Sequence, residues 1–325
     1  MDAGAYPGVV CVVIAARNAR STIARAIGSA LAEAAVGEVV VIDDGSTDDT
    51  AAVARSADDG SERLQVLHLP RNLGPSAARN RGIKASSAPY VTVLDADDYW
   101  LPGRLQALLA EMKDHDFVAD DLLRVVEGRE DEPPTTLTGG EIHLPADISL
   151  AQFAIANVSR KGRDRQELGF LKPLMRRAFL QEHHLAYDES LRLGEDYVLY
   201  AQALARGARF RLIPASGYVA VERAGSISGS HGVEELAPYA RASQKLTEEP
   251  GLSPKERAAL AAHARQVRSK LHFQRVLAVR RRSGMAPALG VMVADPLGAA
   301  YVLTHALAAR MERLRERRSI AEAAY

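Results

Sequence analysis

Four short apolar runs near the start of this chain constrain its fold more than any other feature. They are Val9–Ala15, Val39–Ile42, Leu64–Leu69 and Tyr90–Leu94. A segment with the pattern of a helix separates each run from the next, and buried strands that alternate with helices form parallel sheets. The sequence therefore predicts an α/β fold with a Rossmann-like, mostly parallel sheet flanked by helices.

The composition narrows the class of protein. A hydrophobic fraction of 47% and a charged fraction of 25% are typical of soluble globular proteins. The net charge of zero gives no indication of a nucleic-acid partner. The single cysteine, Cys11, lies within the first apolar run, so we expect a buried thiol in a reducing compartment. No basic segment precedes that run, which predicts a cytoplasmic protein without a secretory signal.

The fourth run stops at an acidic turn, Asp95-Ala96-Asp97-Asp98. Three carboxylates this close repel one another, so a positive group is expected beside them. Hard divalent cations such as Mg²⁺ prefer oxygen ligands and complete their shell with phosphates and water. One interpretation is a metal site that bridges to a diphosphate. The other is a charged loop in which Asp98 caps a helix that starts near Pro102.

A second acidic turn, Asp43–Thr50, follows the second run. Helix capping explains part of it, because a serine such as Ser46 with an acid three residues later is typical of a helix start. Capping does not explain the pair Asp43 and Asp44, which falls where ligands bind in open α/β sheets. The second turn therefore favours a ligand-binding interpretation of the first.

The chain changes character near Pro254. From Lys255 to Tyr325 there are 14 Lys and Arg against 5 Asp and Glu, a net charge of +9, so the preceding part carries −9. The apolar segment Ala288–Leu307 is interrupted by Asp295 and is too broken for a membrane span. It fits either a helix on an anionic membrane surface or a solvated helical tail packed on the core.

Five short motifs occur in a recognisable order and spacing. They are Ala15–Asn18, Asp43–Ser46, Asn72–Gly82, Asp95–Asp98 and Gly194–Asp196. With them, the chain resembles the family 2 glycosyltransferases over about residues 8–230. Within this family, its overall sequence pattern is most similar to that of bacterial glucosyltransferases that build succinoglycan-type exopolysaccharides.

The resemblance implies a GT-A fold and inverting transfer from a UDP-sugar, with UDP-glucose favoured and Mg²⁺ or Mn²⁺ as cofactor. It implies a saccharide acceptor carried on a lipid diphosphate, which would bring the enzyme to the inner face of the cell membrane. Residues 1–115 would form the nucleotide-sugar-binding half, 116–240 the acceptor-binding half and 241–325 a helical basic extension. The basic loop Arg160–Arg165 could meet the acceptor diphosphate.

The resemblance also implies roles for single residues on the donor side. Ala15, Ala16 and Asn18 would meet the nucleotide, although the family usually has proline at position 15 and often tyrosine at 17, where this chain has Arg17. These departures concern base stacking rather than catalysis.

The charged residues of the motifs would recognise the base, the ribose and the metal. Asp43 or Asp44 would accept a hydrogen bond from the uracil N3–H, with Asp44 slightly favoured. Arg79 would contact the base or the phosphates, the alternative being an arginine on a helix surface. Asp95 would hold the ribose or a metal-bound water, and Asp97 would bind the metal directly.

On the acceptor side, Asp196 is the expected general base, and Glu195 would orient the site. The alternative for Asp196 is a helix cap. Arg223, Ser226 and Ser228 lie where the family closes a loop over the diphosphate. Weaker candidates are His231 as an extra metal ligand and Trp100, either in the core or packed on acceptor sugar.

Other functions conflict with the sequence. A dehydrogenase of this fold needs a glycine-rich turn after the first strand, and Ala15–Ser21 contains no glycine. A sugar-phosphate nucleotidyltransferase needs a glycine-rich basic loop there. A non-catalytic binding module would be indicated by loss of Asp97 or Asp196, and both are present.

Overall fold

The computed structural model describes residues 8–159, 166–223 and 231–295. Its strands, in chain order, are β1 (Val10–Ala16), β2 (Val36–Asp43), β3 (Leu64–His68), β4 (Tyr90–Val93), β5 (Tyr99–Trp100), β6 (Phe117–Asp120), β7 (Leu123–Val126), β8 (Thr135–Thr136), β9 (Ala146–Asp147), β10 (Leu174–Arg176), β11 (Phe210–Ile213) and β12 (Tyr218–Glu222). They form an eight-stranded and a four-stranded sheet within the described ranges.

Helices flank the larger sheet and continue beyond it. They are α1 (Ile23–Leu31), α2 (Thr50–Ser56), α3 (Pro75–Lys84), α4 (Arg104–Glu111), α5 (Leu150–Ala156), α6 (Arg177–Glu182), α7 (Glu195–Ala205), α8 (Val233–Leu246), α9 (Pro254–Ser283) and α10 (Met285–Val293). A 3₁₀ turn, Leu168–Phe170, precedes β10.

The larger sheet has the order β3-β2-β1-β4-β10-β6-β11-β9. The first four strands are parallel, and β1 lies between β2 and β4. The inner strands β1, β2 and β4 carry fully buried side chains, including Val12, Ile14 and Val41, whereas β3 at the edge of the sheet is only partly buried. The predicted α/β fold with a mostly parallel sheet is confirmed.

The second half of that sheet is mixed. Strand β10 is antiparallel to both neighbours, β4 and β6, and β9 is antiparallel to β11. The stretch Phe117–Val126 forms two strands rather than one, because the chain leaves the large sheet after β6 and enters the small one as β7. Two buried carboxylates stabilise this change of sheet: Asp120 pairs with Arg104, and Asp121 accepts hydrogen bonds from Thr138.

The core spans both halves of the sheet. An aromatic cluster of Phe117, Phe153, Tyr200 and Phe210 packs beneath the second half, with ring centroids 5.8 to 6.4 Å apart. Cys11 is buried in β1 as predicted, and burial raises the pKa of its thiol to about 12. Cys11 is therefore a packing residue rather than a nucleophile.

The C-terminal helices pack on the core rather than forming a separate tail. Helix α9 begins with a capping box between Ser253 and Glu256 and packs against α8 and α5. Ala259 and Leu260, on α9, belong to the main hydrophobic core. No helix in the described ranges is long and apolar enough to cross a membrane.

Three predicted features lie outside the described residues. They are the basic part of the loop at 160–165, the serines at 226 and 228, and the chain from residue 296 onward.

Candidate active site at the carboxyl edge of the sheet

The two acidic turns meet at one edge of the larger sheet. Strands β2, β1 and β4 are adjacent and parallel, so their carboxyl ends lie side by side. Asp43 ends β2, and Asp95 follows β4 by two residues. This is the edge at which open α/β sheets bind ligands.

The loops after β1 and β2 are held together by hydrogen bonds. The Asn18 backbone has φ of 50°, a left-handed conformation that asparagine tolerates. Asn18 Oδ1 accepts from the Thr47 N–H at 2.9 Å, and its own N–H donates to Ser46 Oγ at 2.9 Å. The Asp44 N–H donates to the Ala16 carbonyl at 2.8 Å. The predicted nucleotide contacts therefore share one ordered surface.

The pair Asp43 and Asp44 is buried, and each carboxylate is already engaged. Asp43 lies 2.8 Å from Nδ1 of His68 and accepts from the Ser46 N–H. Asp44 accepts from the backbone N–H groups of Leu73 and Gly74 at 2.7 and 2.8 Å. Because each Asp44 oxygen accepts from one of these two N–H groups, the carboxylate fixes the loop that enters α3.

Five charged side chains form a compact cluster beneath the acidic turn that follows β4. Arg79 Nη2 lies 2.9 Å from Asp95, and its Nη1 lies 2.7 Å from Glu195 and 3.2 Å from Asp196. Lys172 Nζ lies 2.7 Å from Asp196 and 3.2 Å from Asp95. Arg79 is buried, so its interpretation as a surface arginine is wrong.

The start of α7 presents Asp196 to this cluster. Gly194, the residue before the helix, has φ of 73°, and Glu195 and Asp196 occupy the first turn. Carboxylates there are favoured by the partial positive charge of a helix N-terminus. No side-chain capping bond is made at this helix start, and both Asp196 oxygens point to cations.

Opposite charges in the cluster favour the ionised forms of Asp95 and Lys172. Burial opposes ionisation of Asp95, yet Lys172 and Arg79 outweigh it and lower the pKa of that carboxyl to about 2. Burial also opposes the charge on Lys172, but Asp196 and Asp95 raise the pKa of its ammonium above the ordinary value. Asp95 and Lys172 are therefore ionised together at neutral pH.

Lys172 is the member of the cluster that sequence reasoning missed. Its only signal is a lone cation in the apolar stretch Phe170–Leu174, with no recognisable motif. A hydrogen bond holds the backbone of Lys172 in place. Its carbonyl accepts from Arg104 Nη2 at 2.6 Å, and Arg104 is itself fully buried. The lysine joins the acidic turn after β4 to the start of α7.

The prediction that Asp98 caps the following helix is wrong. Helix α4 begins after Gly103, and this residue has no side chain that could cap the helix. Asp98 instead accepts hydrogen bonds from Tyr218 Oη and the Val221 N–H, both at 2.9 Å. Burial raises the pKa of Asp98 to about 7, and the charges of Asp95 and Asp97 add to the rise. Its carboxyl ties the acidic turn to β12.

Asp97 is the exposed member of the turn, with 47% of its side chain accessible. Burial of the remainder and the Asp95 charge raise its pKa above the ordinary value, while Arg223 opposes the rise. Arg223 Nη1 lies 3.7 Å from its carboxylate. A cation is therefore electrostatically favoured beside Asp97.

The described residues contain no group of three or more side chains that could hold a metal ion. Two carboxylates, Asp97 and Asp95, are nevertheless a suitable set for Mg²⁺ or Mn²⁺, because such ions commonly take one or two carboxylates and the oxygens of a bound diphosphate. His231 does not complete a protein ligand set, and a diphosphate would have to supply the remaining oxygens.

Trp100 belongs to the core. It is 3% exposed, and the buried guanidinium of Arg104 lies between its ring and that of Tyr218, at 4.8 and 5.0 Å from the two ring centroids. An acceptor sugar cannot stack on it.

The comparison with known sequences identifies the family. A family profile described as Glycosyl transferase family 2 matches residues 11–180. The chain is 45% identical to the succinoglycan biosynthesis protein ExoU of Rhizobium meliloti (strain 1021), over 96% of this chain and 90% of ExoU. It is 34% identical to ExoO of the same strain, over 95% of this chain and 87% of ExoO.

Solved structures share the fold at low sequence identity. S. aureus TarS 1–349 superimposes with a TM-score of 0.61 at 19% identity, over 91% of this chain and 88% of that one. The mannosyltransferase PcManGT of Pyrobaculum calidifontis, solved with GDP-Man and Mn²⁺, gives a TM-score of 0.56 at 18% identity, over 94% and 81%. The GT-A fold implied by the sequence motifs is confirmed. From the profile and the two relatives, the chain belongs to glycosyltransferase family 2 and is a glycosyltransferase.

Proposed function

We propose that this chain is a metal-dependent, inverting enzyme that transfers glucose from UDP-glucose to a hydroxyl of a growing, lipid-linked saccharide. The proposal is carried by the observation that Lys172 and Arg79 join Asp95 to Asp196, because the proposed diphosphate site and the proposed base would then lie together. TarS complexes with UDP and UDP-GlcNAc support a UDP-sugar donor. The names of ExoU and ExoO support a place in succinoglycan-type exopolysaccharide biosynthesis.

We assign donor binding to residues 1–115, acceptor binding to 116–240 and a helical extension to 241–325. Ala15, Ala16 and Asn18 would line the nucleotide site. Asp43 is now the preferred partner of the uracil N3–H, because both oxygens of Asp44 hold backbone amides, whereas one Asp43 oxygen pairs with the half-exposed side chain of His68. Arg79 would act below the phosphates by keeping Asp95 ionised.

Asp97 and Asp95 would hold the Mg²⁺ or Mn²⁺ ion. A divalent cation bound there would neutralise the charge that develops on the leaving diphosphate. Lys172 would reinforce this effect, because its ammonium lies 3.2 Å from Asp95 and stays protonated. Arg223, 3.7 Å from Asp97, would close the diphosphate side of the site.

Asp196 would take the proton of the acceptor hydroxyl as its oxygen attacks the anomeric carbon from the face opposite the diphosphate. Single displacement needs one base and a stabilised leaving group, so no covalent nucleophile is required. Glu195 would orient Asp196 through the guanidinium of Arg79 that both carboxylates contact.

Release of nucleoside diphosphate from a panel of sugar donors tests this proposal. With Mn²⁺ or Mg²⁺ present, we expect the enzyme to hydrolyse UDP-sugars at least about tenfold faster than GDP-sugars, because a hydrogen-bonding base site rejects a mismatched partner. The carboxylate is not expected to reject dTDP-sugars, because thymine carries the same N3–H as uracil. Equal rates for UDP- and GDP-sugars would refute the assignment of a uracil-reading carboxylate.

We also propose that the end of the described chain meets an anionic membrane. Helix α10 folds back on α9 through Ala288, which packs against Val276. Its other face exposes Met285, Leu289 and Val293, spaced four residues apart and 59%, 49% and 71% accessible. The last turn of α9 carries Arg280, Arg281 and Arg282 immediately beside this apolar stripe.

Replacing Arg280–Arg282 by three alanines should weaken binding to anionic vesicles about a hundredfold, because each basic residue near such a surface contributes about 1 kcal/mol. Vesicle sedimentation measures this, with neutral vesicles as the control. The triple variant is preferable to a truncation near Pro254, which would remove core residues of α9. Equal binding to neutral and anionic vesicles, or unchanged binding of the variant, would leave α10 as ordinary helical packing.

A further inference from the structure

A cavity of about 240 Å³ opens beside the carboxylates at the start of α7. Asp196 and Glu195 form one wall, and the 3₁₀ turn with Phe170 forms another. The remaining walls come from the C-terminal helices, through Tyr239 on α8 and Gln266 on α9. A larger cavity of about 490 Å³, near Ile142 and Ile155, contains none of the five clustered side chains.

The C-terminal helices contact the turn that precedes Asp196. A side chain at Gly194 would lie 2.2 Å from the Tyr239 ring, so the two surfaces are in contact. Tyr239 Oη lies 3.2 Å from Nε2 of His263 on α9, and His263 stacks on Tyr197 at 3.8 Å between ring centroids. Helices α8 and α9 are therefore fixed to the start of α7 and shape this cavity.

The chemistry of the lining suits a sugar ring. Phe170 is 42% accessible and offers an aromatic face, against which the C–H face of a sugar can pack. Amide and charged groups surround it, from Asn157, Arg192 and Gln266. The volume lies below the range of about 300–1,000 Å³ typical of drug-sized ligands, so it matches one sugar residue rather than a whole oligosaccharide.

We propose that this cavity binds the terminal sugar residue of the acceptor and that α8 and α9 supply one wall of the acceptor site. The inference rests on the proposed function, because it takes Asp196 as the base toward which the acceptor hydroxyl points. The C-terminal helices are then part of the acceptor-binding machinery as well as the support of α10.

Saturation-transfer NMR with methyl glycosides of glucose and galactose, in the presence of UDP and Mg²⁺, tests the cavity. We expect the wild type to bind at least one glycoside. Phe170→Ala, which removes the aromatic face, and Gln266→Trp, which fills the cavity, should each weaken that binding about tenfold. Leu101→Ala is the matched control, since Leu101 is also 42% accessible but lies outside the cavity.

Calorimetric UDP affinity and thermal unfolding accompany each variant. We expect wild-type UDP affinity in all of them, and Gln266→Trp decides the question if Phe170→Ala does not fold. No glycoside bound by the wild type, or wild-type binding in the folded variants, would overturn the cavity assignment while UDP binding upholds the proposed function. A wild type that does not bind UDP would overturn both.

Discussion

Replacing Asp196 by asparagine is expected to reduce sugar transfer by about a hundred- to ten-thousandfold, the contribution typical of a general base. The affinity for UDP should change far less, because the base acts on the acceptor and not on the nucleotide. Turnover measured beside donor affinity by calorimetry separates the two effects. If affinity falls as much as turnover does, Asp196 belongs to the donor site.

Glu195→Gln is the matched control for this prediction. Glu195 is adjacent in the same helix turn and contacts the same guanidinium nitrogen of Arg79, at 2.7 Å against 3.2 Å for Asp196. Each variant therefore removes one negative charge beside Arg79, although Asp196→Asn also removes the carboxylate that pairs with Lys172. A fall in turnover as large in Glu195→Gln as in Asp196→Asn would contradict the assignment of the base.

Replacing Asp97 by asparagine is expected to lower turnover by several orders of magnitude, because metal stabilisation of a leaving group supplies several kcal/mol. Asparagine keeps the shape of the side chain but removes a hard anionic ligand. Binding of Mn²⁺ to the UDP complex, followed by electron paramagnetic resonance, should weaken in parallel. Near-normal transfer by this variant, or full activity of the wild type in excess EDTA, would refute the metal site.

Asp98→Asn provides the control within the same turn. Asp98 is held by Tyr218 and Val221 and is not expected to reach a metal. Its replacement should lower the free energy of unfolding by about 1–3 kcal/mol through weakened buried hydrogen bonds, with Mn²⁺ affinity near that of the wild type. A loss of Mn²⁺ affinity equal to that of Asp97→Asn would show that the turn acts as a whole.

The first half of the fold could be predicted because buried strands require apolar residues. Strands β1, β2 and β4 are largely buried between helices, so they appear as apolar runs that are visible without a structure. Strand β10 has only three residues and pairs with strands far away in the chain, so its pattern is indistinct. The break between β6 and β7 depends on Arg104, whose pairing with Asp120 no local pattern shows.

The site was predictable where chemistry forms local motifs and unpredictable where it depends on distant contacts. Asp95 and Asp97 stand out because adjacent carboxylates at a strand end are costly without a purpose. Lys172 does not, because its partners Asp95 and Asp196 are distant in the sequence and only the fold brings them together. The motif containing Asp98 suggested a helix cap, whereas its partner is a strand that the sequence did not predict.

The stereochemistry of donor hydrolysis tests the central claim, single displacement assisted by Asp196, without knowledge of the acceptor. Proton NMR in D₂O distinguishes the two anomers of glucose before they interconvert. With UDP-α-glucose, we predict that β-glucose appears first, because water activated by Asp196 attacks from the face opposite the diphosphate. α-Glucose as the first product would contradict the account.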